Sequence, residues 1–235
     1  MFNWLSSLIF PPRCPICGEL TGSDEPCETC EIELKKHLIT GAVCNSCGQY
    51  KSKCDCGKVN FFFSGICGVY ENSGVAREAV YAIKYHNCAF AAEYFGCMLA
   101  DCFKMRFPNV NPDIVCAVPM FKHSERDYNH AELLAHHAAK RLDKPFLKRV
   151  LVKVRENEPQ HKLSSQKRRE NVKNAYVAKG DLSGKIVLLI DDIKTTAATL
   201  NECAKQLRLA GAEDVYCAVA LISVKDTCND NQTEI

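Results

Sequence analysis

The stretch Leu188-Leu189-Ile190-Asp191-Asp192-Ile193-Lys194-Thr195-Thr196-Ala197-Ala198-Thr199 decides the fold. The apolar run from Ile186 to Ile190 reads as a buried strand that stops at two adjacent acids. A short threonine-rich loop follows, then a helical stretch from about Leu200 to Ala210, with Gly211 where a helix C-cap falls. Val215 to Ile222 reads as the next buried strand. A strand–loop–helix–strand order predicts a parallel sheet, and polar residues at the carboxyl end of a strand stand where open α/β sheets hold ligands.

The residue types suit one ligand class. Neighbouring carboxylates at Asp191 and Asp192 can accept hydrogen bonds from two vicinal sugar hydroxyls. The loop of Lys194, Thr195, Thr196, Ala197, Ala198 and Thr199 leads into a helix N-terminus, which offers backbone N–H groups and a positive dipole end to a phosphate. The threonines add hydroxyl donors. A diol on one side and a phosphate on the other describe a ribose 5-phosphate group. The competing reading is a solvated acidic turn with threonines that cap a helix.

Outward from this unit the elements alternate. Ile66 to Tyr70 and Asp113 to Pro119 are strand-like; Gly74 to Tyr85, Ala89 to Phe103 and Ala131 to Arg141 are helical, with Val75, Ala79 and Ile83 on one stripe. Phe146 to Val152 reads as a strand or sheet edge. The fold class predicted is a mostly parallel α/β sheet with helices on both faces.

The cysteines set the other half. Of 16 in the chain, eight crowd between Cys14 and Cys56. Cys14-Pro-Ile-Cys17-Gly pairs with Cys27-Glu-Thr-Cys30, and Cys44-Asn-Ser-Cys47-Gly pairs with Cys54-Asp-Cys56-Gly. A two-residue gap lets both thiolates of a knuckle reach one ion, and two knuckles complete the tetrahedron that suits structural zinc. The Cys54-x-Cys56 bite is short, so either of its sulfurs is a candidate to fall outside the second site. Few large apolar residues surround these knuckles, so metal would supply folding free energy. Glu28 to Leu38 is expected to form a helix with Ile32, Leu34 and Leu38 turned toward the larger domain. Cys67, Cys97, Cys116 and Cys217 sit among apolar neighbours as small core residues. That usage points to a reducing cytoplasm rather than a disulfide framework.

Composition narrows the rest. With 235 residues and a formal charge of +2, the chain has room for one sizeable core and one small module, and no overall charge that demands nucleic acid. No stretch approaches the roughly 20 apolar residues of a membrane span. The start, Met1 to Phe10, is a poor signal peptide; it reads as an anchor packed on the larger domain, or else as a membrane-surface foot. The expected domains are 1–60, 61–223 and a polar tail, 224–235.

The Asp191–Thr199 segment resembles the phosphoribosyl-diphosphate (PRPP) motif of type I phosphoribosyltransferases. Further motifs agree in order: Arg126-Asp127-Tyr128-Asn129-His130-Ala131-Glu132, Pro159-Gln160-His161-Lys162-Leu163, Arg168-Arg169-Glu170-Asn171-Val172 and the cysteine knuckles. Together they resemble the ComF family of competence proteins. The resemblance implies a phosphoribosyltransferase fold behind a double zinc ribbon, PRPP taken with Mg²⁺, and work on incoming single-stranded DNA in the cytoplasm during natural transformation. Contact with other DNA-uptake proteins at the inner membrane face is implied too. By the same resemblance Lys84 and Arg126 join the PRPP site, the 121–130 loop would hold pyrophosphate, and 158–171 would be a hood over substrate. Two departures stand out: Ala197 replaces a family glycine, and Asp127 adds a negative charge where pyrophosphate would lie.

Local charge gives the DNA reading its own support. Between Lys140 and Lys173 twelve Lys and Arg side chains, Lys162, Arg168 and Arg169 among them, stand against four acids. Rings at Tyr128, Phe146 and Tyr176 are candidate stacking surfaces beside that stripe. The alternative is an enzyme that transfers phosphoribose from PRPP to an acceptor.

Overall fold

The computed structural model describes residues 11–23, 25–85, 89–121, 128–155 and 170–224. Four parallel strands form the main sheet: β1 (Gly65–Glu71), β2 (Ile114–Ala117), β5 (Ile186–Lys194) and β6 (Asp214–Ile222), in the order β1-β6-β5-β2. Two short strands, β3 (Leu151–Lys153) and β4 (Tyr176–Ala178), pair antiparallel in a separate ribbon.

The central strands are apolar on both sides because both faces are covered. Helices α2 (Gly74–Tyr85), α3 (Ala89–Arg106) and α4 (His130–Leu142) pack on one face, where Ile83, Phe95, Leu99, Phe103 and Leu134 meet Leu188 and Ile190. Helix α5 (Ala198–Leu209) and the β3–β4 ribbon cover the other, where Leu200, Cys203 and Leu207 meet Val187, Leu189 and Cys217. At Gly96 a Cβ would stand 2.6 Å from His137 Cβ and 2.8 Å from the Leu134 carbonyl oxygen. Glycine there lets α3 and α4 approach closely.

The strands and helices anticipated from periodicity are present, with three differences. The Phe146–Val152 strand shrinks to Leu151–Lys153, with Phe146 making only a bridge to Val115. Its partner β4 has no counterpart among the elements expected from sequence. Strand β5 does not stop at Ile190; pairing with β6 carries it to Lys194.

The cysteine module lies along the open edge of β1. Its helix α1 (Glu28–His37) buries Leu34 in the main core, and Leu38 packs beside it, as expected. Ile32 does not join them: it is 53 % exposed. The chain after α1 follows the edge strand, with Ile39 N donating to the Val69 carbonyl at 2.9 Å and Ile66 N to the Asn45 carbonyl at 2.8 Å. Gly48, at φ +74, lets the second knuckle turn directly over Ile222, whose Cδ1 would be 2.7 Å from a Cβ. No helix among the described residues is long and apolar enough to cross a membrane. Met1 to Phe10 and the tail beyond Val224 lie outside the described residues.

Candidate functional site

Two cysteine clusters are assembled. The Cys14, Cys17, Cys27 and Cys30 sulfurs lie within 4.8 Å of one another, and so do those of Cys44, Cys47, Cys54 and Cys56. The second set shows separations of 3.6 Å (Cys44–Cys56), 3.5 Å (Cys47–Cys54) and 3.3 Å (Cys54–Cys56). Zn–S bonds of about 2.3 Å place tetrahedral sulfurs about 3.8 Å apart, whereas a disulfide needs about 2.05 Å. Both clusters therefore match the geometry of structural zinc, and the short Cys54-x-Cys56 bite brings both of its sulfurs in.

In each cluster the knuckle backbone prepares one thiol for a metal, while burial pushes Cys17, Cys30, Cys47 and Cys56 up. Burial pushes the Cys14 thiol up, but N–H groups of Cys17, Cys27 and Ile16 outweigh it and hold the group at about 7. Cys44 behaves alike: burial raises it, the amides of Cys47 and Ser46 lower it, and the result is about 7. An N–H aimed at sulfur favours the thiolate that a metal requires.

The second assembly is at the carboxyl end of the main sheet. β5 outruns its neighbour: the last pair with β2 is Ala117–Ile190, while pairing with β6 continues to Lys194–Ile222. The chain leaves β2 toward α4 on one face and leaves β5 toward α5 on the other. Adjacent strands whose connections diverge create a crevice at that end.

Because the strand continues through both acids, their side chains leave opposite faces. Asp191 points to the α5 side. Burial, and after it the negative charge of Asp191, pushes the Cys203 thiol well above its ordinary value. Asp192 is 8 % exposed and accepts from Ile193 N at 2.7 Å; the Asp191 carboxylate accepts from Asp192 N at 2.9 Å. Lys194 is buried, with its carbonyl bound by Ser223 N. Thr195 is exposed, and Thr196, Ala198 and Thr199 are half-buried.

Ala197 takes the left-handed conformation, φ 61 and ψ 7, and supplies no side-chain cap to α5. The glycine-like geometry of the loop survives the substitution, at a strain of about 1 kcal/mol. The methyl group is buried against the α5 face of the core.

The loop after β2 reaches this end of the sheet as well. Asn129 Oδ1 accepts from Ala131 N at 3.1 Å, capping α4, and Asn129 Nδ2 donates to the Val118 carbonyl at 3.0 Å. One side chain thus ties the strand end to the helix start. Tyr128 donates its hydroxyl to the Ile83 carbonyl, next to Lys84 in the last turn of α2. The side chain of Lys84 lies outside the described residues, as do Arg126 and Asp127, the nucleic-acid candidates Lys162, Arg168 and Arg169, and most of the expected hood.

The expected stacking rings do not form one platform. Tyr176 is 3 % exposed and belongs to the core. Phe146 packs against the α4 side and Tyr128 is engaged with Ile83. Two stripe cations are also occupied: Arg141 makes a bidentate pair with Asp101 at 3.0 Å, and Arg155 donates to the carbonyls of Asn171 and Lys173.

Comparison with known proteins agrees with this architecture. Residues 5–68 match the double zinc ribbon domain, and residues 129–233 match the phosphoribosyl transferase domain. Competence protein F of Haemophilus influenzae is 38% identical over 109 residues, 44% of this chain and 48% of that protein. Competence protein ComFC of Bacillus subtilis is 28% identical over 203 residues, 80% of each chain. The chain spans about half the length of the first curated relatives it matches. A solved glutamine PRPP amidotransferase from B. subtilis is 24% identical with a TM-score of 0.39, covering 63% of this chain and 28% of its own. The order of ribbon and transferase domains, with the match to ComFC along most of both chains, makes this chain similar to the ComF proteins.

Proposed function

We propose that this competence protein binds PRPP, or a ribose phosphate, at the carboxyl end of β5 and handles incoming single-stranded DNA in the cytoplasm. The observation that carries the reading is the divergence of the chain after β2 and β5, which leaves Asp191 and Asp192 on the projecting strand with the α5 N-terminus one loop away. Asp191, at the end of the strand on the α5 side, would accept from the ribose hydroxyls, with Asp192 beside it adding negative charge at the strand end. The first turn of α5 and the hydroxyls of Thr195, Thr196 and Thr199 take the phosphate. Magnesium would arrive with the pyrophosphate. It would be held by ligand phosphates and one or two carboxylates.

A double Asp191→Ala and Asp192→Ala variant is expected to lose PRPP binding by calorimetry while its zinc content stays that of the wild type. Retained affinity in the folded variant removes the assignment. The enzymatic reading keeps a foothold in the glycine-like loop at Ala197. Pyrophosphate release from PRPP against a panel of bases, set beside salt-dependent binding of an oligo-dT strand, separates the two. Steep salt dependence without release supports the binding module; release without DNA affinity supports the transferase.

A further inference from the structure

Gln49 stands just past the second cysteine knuckle and is 3 % exposed. Its Nε2 donates to the Ser223 carbonyl at 2.8 Å. Ser223 directly follows β6, and its own N–H donates to the Lys194 carbonyl at 2.9 Å. Lys194 ends β5, and the next residue, Thr195, opens the loop that leads to α5. The knuckle meets this strand end through apolar contact as well. Gly48 lies over the Ile222 side chain, and Ile222 is the register partner of Lys194. Asn72, just past β1, closes the same corner: its backbone N–H donates to the Ile222 carbonyl at 2.8 Å and its Nδ2 to Ser223 Oγ at 3.0 Å.

The placing of Gln49 comes from the knuckle. Gly48 N donates to the Cys44 carbonyl at 2.8 Å and Cys44 N to the Gln49 carbonyl at 2.8 Å, so the turn that carries Gln49 is closed around Cys44 and Cys47. Both cysteines belong to the second cluster, where metal ligation would supply the folding free energy. We infer that Gln49 is a positioning residue for the loop after β5, and that through it the second zinc site, rather than the first, sets the affinity for a ribose phosphate; the inference rests on the ribose-phosphate reading of the site.

The loop needs an anchor on each side. Ala197 holds a left-handed conformation, and a strained residue persists only where its surroundings determine it. On the far side α5 buries Leu200 and Cys203 in the core. On the near side the support is the Ser223–Lys194 bond at the very end of the β5–β6 ladder, where strands fray most readily. Gln49 gives the Ser223 carbonyl its donor and keeps that residue in line for the bond to Lys194. With the donor gone, the segment from Lys194 to Ala198 samples more conformations, and a phosphate must order it on binding at a cost in affinity. The first cluster meets the domain elsewhere. It runs into α1, which docks through Leu34 on the α2–α4 side of the core.

The test uses the full-length protein, with ribose 5-phosphate binding by calorimetry and amide hydrogen exchange as separate readouts. Gln49→Met keeps the length of the side chain and removes the donor. It is expected to retain the wild-type zinc content and to weaken ribose 5-phosphate binding roughly five-fold, the scale of one neutral hydrogen bond. Exchange at the Ser223 amide should quicken while the middle of β5 and β6 stays protected. Cys44→Ser with Cys47→Ser, which empties the second site, should weaken binding at least as much, and Gln49→Met added to that pair should change nothing further. Cys14→Ser with Cys17→Ser, which empties the first site, should leave affinity within about two-fold of the wild type. An unchanged affinity in Gln49→Met overturns the inference, as does a Gln49→Met loss that persists in full without the second zinc. An equal loss in the two zinc-site variants also overturns it, because it reports general loosening of the module. A wild-type protein that binds neither ribose 5-phosphate nor PRPP overturns the underlying reading together with this one.

Discussion

The two halves of this molecule are held together by different physics. The α/β domain buries whole side chains on both faces of its sheet, and residues such as Phe95, Leu99, Leu188 and Leu189 are fully enclosed. The cysteine module contributes little of that kind: among the described residues Leu34 is its one large aliphatic side chain buried in the main cluster, and its knuckles converge on sulfur. The difference teaches where each half is vulnerable. One depends on shape and packing, the other on the charge state and ligation of eight thiols.

Metal removal attacks that contrast most strongly. Two zinc ions per chain are expected by elemental analysis of pure protein. Stripping them with a strong chelator should unfold both ribbons, since a structural zinc contributes roughly 10–16 kcal/mol of apparent binding free energy in zinc-finger peptides. Far-UV circular dichroism should retain the signal of the α/β domain, while amide exchange in residues 11–60 rises to that of unfolded chain. A chelated protein that protects those amides would mean that packing alone holds the module.

Packing is probed at Gly96. A Gly96→Val side chain would collide with the Leu134 carbonyl and with His137 across the α3–α4 contact. Forcing the helices apart should lower stability by about 3 kcal/mol in urea unfolding, with zinc content unchanged. Loss of zinc in that variant would show that the halves do not fail independently.

The smallest effect is expected at Ala197. Glycine would relieve a left-handed strain of about 1 kcal/mol, but it would also remove a buried methyl group that contributes about 0.8 kcal/mol. Ala197→Gly should therefore change stability by less than about 0.5 kcal/mol. A gain well above about 1 kcal/mol would show that the methyl group packs poorly.

The two halves also differ in how far the sequence discloses them. Ligand spacing is a local property, so both sets of four cysteines can be read from the chain. Even the short Cys54-x-Cys56 pair closes, through the helical turns at Lys51–Lys53 and Cys56–Lys58. The apolar runs of β1, β5 and β6 and the helix stripes are equally plain. What stays hidden depends on pairing between distant segments. Strand β5 passes Ile190 only because β6 is long enough to pair with the segment from Asp191 to Lys194, and nothing in the polar residues themselves announces it. That extension turns the adjacent acids to opposite faces. Strand β4 is three residues long, too short for periodicity to show, and starts after Asn174 at φ 57. Without that strand, Tyr176 reads as a surface ring. A tyrosine next to polar and basic neighbours gives no sign of burial until its strand is known. The substitution at Ala197, by contrast, marks a strained position through the family resemblance, because a glycine at that place in the family's loop signals positive φ.

The way the module lies along β1 has one more consequence. A parallel sheet with a bare outer strand presents a row of unsatisfied amides and carbonyls, a template on which another polypeptide can add itself. Here Ile39 and Asn45 occupy part of that row. The cysteine module thus covers part of an edge on which a second chain could otherwise pair.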